Sequence, residues 1–172
     1  PNPQFDSRNS SWQDAGVAEP EALILVPAFS MSPDLGELNV TMLAQWIKRV
    51  RGRSELDVLL TRKYAYSFPM AMGKPAERSA SWAALGRERL HGLMDEAAGQ
   101  LVDMLVYDFS SEGRARWQAK IEKGAFARVN DVGFGGREIR RGPGWVWVQV
   151  QIGKEWPVLR GHHPVVNARD GQ

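Results

Sequence analysis

Apolar residues recur every three or four positions through Trp82, Leu85, Leu90, Leu93, Met94 and Ala97, while Glu88, His91 and Asp95 fall on the opposite side. That spacing predicts an amphipathic helix beginning near Ser79 and stopping at Gly99. The pattern then changes to a short apolar run, Met104 to Phe109, which reads as a strand buried on both faces. Upstream, Ala22 to Phe29 is a continuous apolar run and the first predicted strand. Ser32-Pro33-Asp34 with Glu37 resembles a helix start, predicting a helix over about 34–50 with Leu38, Met42, Leu43, Trp46, Ile47 and Val50 inward. Leu56 to Thr61 is the second strand, with Arg62, Lys63, Tyr64 and Tyr66 just beyond its end.

The resulting order is strand, helix, strand, helix, strand, followed by a helix over about 112–123. It predicts an α/β domain: a small parallel β-sheet core with packed helices. Glycine and arginine then become frequent, and Gly142-Pro143-Gly144 separates REIRR from WVWVQVQI. That stretch predicts a C-terminal antiparallel β-hairpin. Residues 1–20 are polar around Phe5, Trp12 and Val17 and read as an extended arm; 21–156 form the single domain; 157–172 read as a tail.

Composition changes this picture little. Hydrophobic residues make up 43% and charged residues 24% of the 172, both ordinary for a globular chain, and no apolar run predicts a membrane span. The expectation is a soluble domain, cytoplasmic or exported with its leader already removed. The absence of cysteine excludes disulfides, thiol catalysis and Cys-ligated zinc. Charge is unevenly placed: residues 1–50 hold three basic and six acidic side chains, residues 111–172 eleven and six. The C-terminal third would favour an anionic partner, although basic surface also serves solubility.

Five groups of residues carry candidate chemistry. In the final strand, two-residue alternation sends Val146, Val148, Val150 and Ile152 to the core and leaves Trp145, Trp147, Gln149 and Gln151 on a surface facing Arg137, Arg140 and Arg141. Flat rings beside guanidinium and amide groups suit a protein hot spot or a polyanion, unless the arm or a helix covers them. If the strands are parallel, Ser30, Ser32, Arg62, Lys63, Asp108 and Ser110 gather at one sheet edge as a small-molecule pocket, though helix capping accounts for several of them. The glycines of Asp131 to Arg137 match neither the dinucleotide fingerprint nor the P-loop, and read as a turn. Glu88, His91 and Asp95 share a helix face and read as an exposed ion-pair surface.

Arg160-Gly161-His162-His163-Pro164, with Asn167 and Asp170, resembles the opening of the His-Asn-His nuclease motif. The resemblance spans about ten residues and implies a metal-dependent nuclease or phosphodiesterase of a toxin-like kind, using His162 and His163. No complete catalytic set is visible, so the leading expectation is a non-catalytic binding or adaptor module. It would dock a protein, or alternatively nucleic acid or another polyanion, through the hairpin, with no cofactor and no metal.

Overall fold

The computed structural model describes residues 21–49, 56–70, 73–118, 126–129, 132–150 and 158–162. The chain enters the sheet as a meander of three long antiparallel strands, β1 (Glu21–Met31), β2 (Glu37–Arg49) and β3 (Leu56–Pro69). Three helices follow: α1 (Pro75–Ala84), α2 (Gly86–Phe109) and α3 (Ser111–Gln118). A two-stranded ribbon, β4 (Phe126–Val129) and β5 (Val132–Gly135), precedes the hairpin of β6 (Arg137–Gly142) and β7 (Trp145–Val150), and β8 (Val158–His162) ends the described chain. The main sheet has the order β1-β2-β3-β8-β7-β6, and among its described strands only β3 and β8 run parallel.

This overturns the expected parallel α/β core: the protein is a mixed, largely antiparallel sheet with a few helices. The helix expected over 34–50 is strand β2. Residues Leu38, Val40, Met42 and Ala44 alternate into the core, so the segment carries a period of two as well as its helical spacing. Ser32, Pro33 and Asp34 are turn formers as readily as helix caps. Here they close the β1–β2 hairpin: Ser32 N–H donates to Glu37 O at 2.9 Å, and Leu35, with φ of 57°, donates to Ser32 O.

The expected strand at Met104–Phe109 is the C-terminal part of α2 instead. Leu93, Ala97, Leu101, Met104 and Asp108 form one unbroken buried stripe at helical spacing. Gly99 lies on the exposed side, so it does not stop the helix. An interior glycine costs about 1 kcal/mol, which a 24-residue packed helix tolerates. The break occurs earlier, at Gly86, whose φ of 71° separates α1 from α2. The expected helix over about 112–123 corresponds to α3, and the inward placement of Trp117 lies outside the described residues.

Two further corrections concern strand extent. Arg62, Lys63, Tyr64 and Tyr66 lie within β3, not beyond its end. Residues 158–162, read as tail, are inserted between β3 and β7 at the centre of the sheet. There Gly161 passes so close to the Tyr66 ring that a Cβ would overlap it. The strands around Gly142-Pro143-Gly144 do pair as an antiparallel hairpin. Residues 1–20 and 163–172 lie outside the described residues.

α2 lies antiparallel to β3 across one face of the sheet. Tyr64, Tyr66 and Phe68 meet it from β3, Val40 and Met42 from β2, and Trp147 from β7. On the opposite face the β4–β5 ribbon packs Ala127 over Val146 and Val148. No helix among the described residues is long and apolar enough to cross a membrane.

Candidate functional site

Among the described residues, side-chain hydrogen bonds join α2 to the sheet and fix where its faces point. The Tyr64 hydroxyl donates to Asp108 Oδ2 at 2.6 Å, the Tyr66 hydroxyl to Glu96 Oε1 at 3.1 Å, and Trp147 Nε1 to Gln100 Oε1 at 2.7 Å. Arg62 Nε approaches Asp108 Oδ2 at 3.3 Å. Burial pushes the Asp108 carboxyl above its ordinary range, opposed by the bond from Tyr64 and the charge of Arg62. Burial likewise raises both tyrosines, with their carboxylate partners adding to the shift. These groups are a clamp between layers. Asp108 is only 3% exposed, and a substrate would have to displace the helix to reach it.

Of the six residues expected to form a strand-end pocket, the fold brings only Arg62 and Asp108 together. Ser30 pairs with Asn39 and that residue with Ser67, which places it five β3 positions from Arg62, roughly 17 Å along the strand. Ser32 belongs to the hairpin turn, where its hydroxyl donates to Asp34 Oδ1 at 2.7 Å and accepts from Glu37 N–H. Lys63 projects from the opposite face to Arg62 and is exposed. Ser110 caps α3, accepting from Gly113 N–H at 3.0 Å. The gathering required parallel strands, and the strands are not parallel.

The hairpin surface is largely closed. Trp147 is 1% and Gln149 3% exposed, against the expectation that both face outward. Trp147 packs under α2, its ring 5.4 Å from that of Trp145 and 6.3 Å from that of Tyr107. The Arg140 guanidinium lies 5.4 Å over the same ring as a lid. Arg137 bonds Gln149 and the Arg116 carbonyl, and Arg141 pairs with Glu138 at 2.7 Å. Half-buried Trp145 and exposed Arg140 and Arg141 are what this surface still offers.

His162 ends β8, paired with Ser67 and Val146, but its side chain and the whole of His163 lie outside the described residues. Glu88, His91 and Asp95 are exposed on α2, and no group of three His, Asp or Glu side chains among the described residues is placed to hold a metal ion.

The largest unexpected feature is β1. Register places Leu23, Leu25, Pro27, Phe29 and Met31 opposite Trp46, Ala44, Met42, Val40 and Leu38, so they share the face that α2 covers further in. α2 does not reach them. Exposure runs from 38% at Leu25 to 72% at Phe29. Helical geometry puts Val102 and Phe109 on the α2 flank turned away from Glu96 and Gln100, and Phe109 sits 6.0 Å from Trp46 on β2. That flank therefore looks toward β1, and Val102 and Val106 are 50% and 65% exposed. An apolar trough lined by Glu21, Ala22, Leu23, Trp46 and Phe109 lies where one end of β1 meets the end of α2. Glu21 closes that end, paired with Lys48 at 3.2 Å and accepting from Trp46 Nε1 at 3.1 Å.

One residue in the sequence signals this arrangement. Pro27 interrupts the apolar run, and a proline within a strand marks a sheet edge because it cannot donate to a neighbour on both sides. No protein-family model, no curated protein and no solved structure matches this chain.

Proposed function

We propose that this chain is a non-catalytic docking domain that binds a protein partner through the uncharged face of β1 and the adjoining flank of α2. The observation carrying this reading is the exposure of Leu23, Leu25, Phe29 and Met31 on one face, together with that of Val102 and Val106 on α2 beside it. From Ala22 to Met31 the strand has no charged side chain. Contiguous apolar surface of this kind marks interaction sites, whereas scattered exposed leucines do not. The reading keeps the binding class expected from sequence and moves its surface away from the hairpin, where Trp147 and Gln149 are buried.

The buried polar groups support the non-catalytic part. Asp108 and Tyr64 bond each other between helix and sheet, Ser67 bonds Asn39 and Gln149 bonds Arg137 within the sheet, and none of them lines the trough. A photoreactive benzoylphenylalanine placed at position 29, 102, 87 or 141 in the source cells tests the surface. Adducts of one defined mass at 29 and 102, absent at 87, are expected. Adducts at 141 alone would return the surface to the hairpin, and equal labelling at all four would remove the proposal.

A further inference from the structure

The open β1 face and the α2 ridge beside it are arranged as two halves of one self-complementary surface, and we infer that the occupant is a second copy of this chain. The inference rests on the docking reading above and names the partner. A two-fold interface requires each copy to offer both a feature and its complement, so that a contact from one residue to another is made twice. Here the α2 crest at Val102 and Val106 is the projection, and the β1 face at Leu25 and Phe29 is the recess. They lie side by side on the same face of the sheet. Rotating a copy by half a turn lays each crest into the other's recess.

Size and charge agree with this occupant. From their fractional exposures, the apolar side chains of β1, Trp46, Val102 and Val106 present on the order of 600 Å². A stable pair buries roughly 600–1,000 Å² on each partner, so this patch reaches the lower end of that range. Laying each crest into the other copy's recess sets α2 against β1, so the recess must accept an apolar crest without burying a charge of its own. The stretch from Ala22 to Met31 carries none, and Glu21 at its end is already paired with Lys48. Pro27 further directs the contact to the face, because it deprives the free edge of a donor midway along β1 and weakens edge-to-edge sheet extension. On the outer side of α2 a side chain at Gly99 would meet nothing, so the helix backbone is open to close approach one turn from Val102.

The chain contains no cysteine, so engineered thiols report without background. Sedimentation equilibrium of the full chain from about 1 to 100 μM should give a dimer. The Phe29→Glu and Val102→Glu variants should each weaken it by at least about tenfold. Far-ultraviolet circular dichroism should remain unchanged, since both positions are exposed. Mixing Phe29→Cys with Val102→Cys under oxidation should yield a cross-linked pair faster than either variant alone. A monomer at every concentration, or variants that dimerise like the parent, overturns the inference. Should the parent be monomeric while photoadducts at 29 and 102 persist at another mass, the docking reading stands with a different occupant. If both are absent, both fall.

Discussion

β1 and β7 are the two most apolar strands of the sheet, and the structure treats them in opposite ways. The run ALILVPAF in β1 reads as a buried strand, yet Phe29 is 72% exposed. WVWVQV in β7 reads as having one open face, yet Val146, Trp147, Val148 and Gln149 are all buried. The difference is position. β7 has β6 and β8 on its edges, α2 on one face and the β4 ribbon on the other, whereas among the described strands β1 has one neighbour, and α2 packs further in on the sheet. Side-chain pattern tells which face a residue takes; it does not tell whether anything covers that face.

The sharpest way to test this contrast is to cut one large ring from each strand. Trp147→Ala removes a buried indole, its bond to Gln100 and its contact with Arg140, and should destabilise by about 3–5 kcal/mol. Phe29→Ser should change stability by no more than about 0.5 kcal/mol, because the ring is already in water. Urea denaturation of both variants reads the difference. Equal losses would mean that β1 is covered in solution by something strong enough to count toward folding.

A smaller effect should come from the clamp that holds α2 over β3 and leaves β1 open. Asp108→Ala deprives the buried Tyr64 hydroxyl of its acceptor, and a loss of about 1–3 kcal/mol is expected. Asp108→Asn keeps an acceptor and removes the titration. Since burial raises the folded carboxyl above its unfolded value, the folded state binds the proton more readily. Asp108 therefore favours folding most at low pH, and its contribution declines as pH climbs from the ordinary carboxylate range through the raised value. The parent should gain on the Asn variant as pH is lowered from about 7 to 4. A difference independent of pH would show that the pairing with Arg62 fully offsets the burial.

These contrasts also explain what could be read from sequence. The stripe from Leu93 through Ala97 was legible because it is long and its period is unambiguous. β2 was not, because Leu38, Val40, Met42 and Ala44 overlap a helical pattern, and because the Ser32-Pro33-Asp34 opening suits a turn as well as a cap. Reading β2 as a helix makes the connections parallel, and parallel connections are what would bring Ser30 to Arg62. The central placement of β8 had no local signal at all. Val158–His162 is a five-residue strand whose partners, β3 and β7, are set by tertiary packing. Of the candidate sites, the hairpin was placed correctly along the chain but its open face was not. The exposed β1 surface was announced by Pro27 alone.

The weakest effect expected is local to β1, and it tests whether that strand is held mainly at its turn. Asp34 accepts from the Ser32 hydroxyl and from Gly36 N–H at 3.1 Å, and pairs with Arg78 of α1 at 2.6 Å. The Ser32 bond first, then the backbone bond and Arg78, hold its carboxyl down at about 2, below the ordinary 3.8. An unfolded chain takes up that proton sooner, so the contribution of Asp34 is complete above pH 3.8 and disappears as pH falls toward 2. Amide exchange should therefore show β1 loosening across that window while β7, anchored on both edges and faces, keeps its protection. Asp34→Ala should loosen β1 at neutral pH and abolish the acid-dependent step. If β1 and β7 lose protection together on acidification, the two strands belong to one cooperative unit, and the weak edge that a docking surface requires is held by more than its turn.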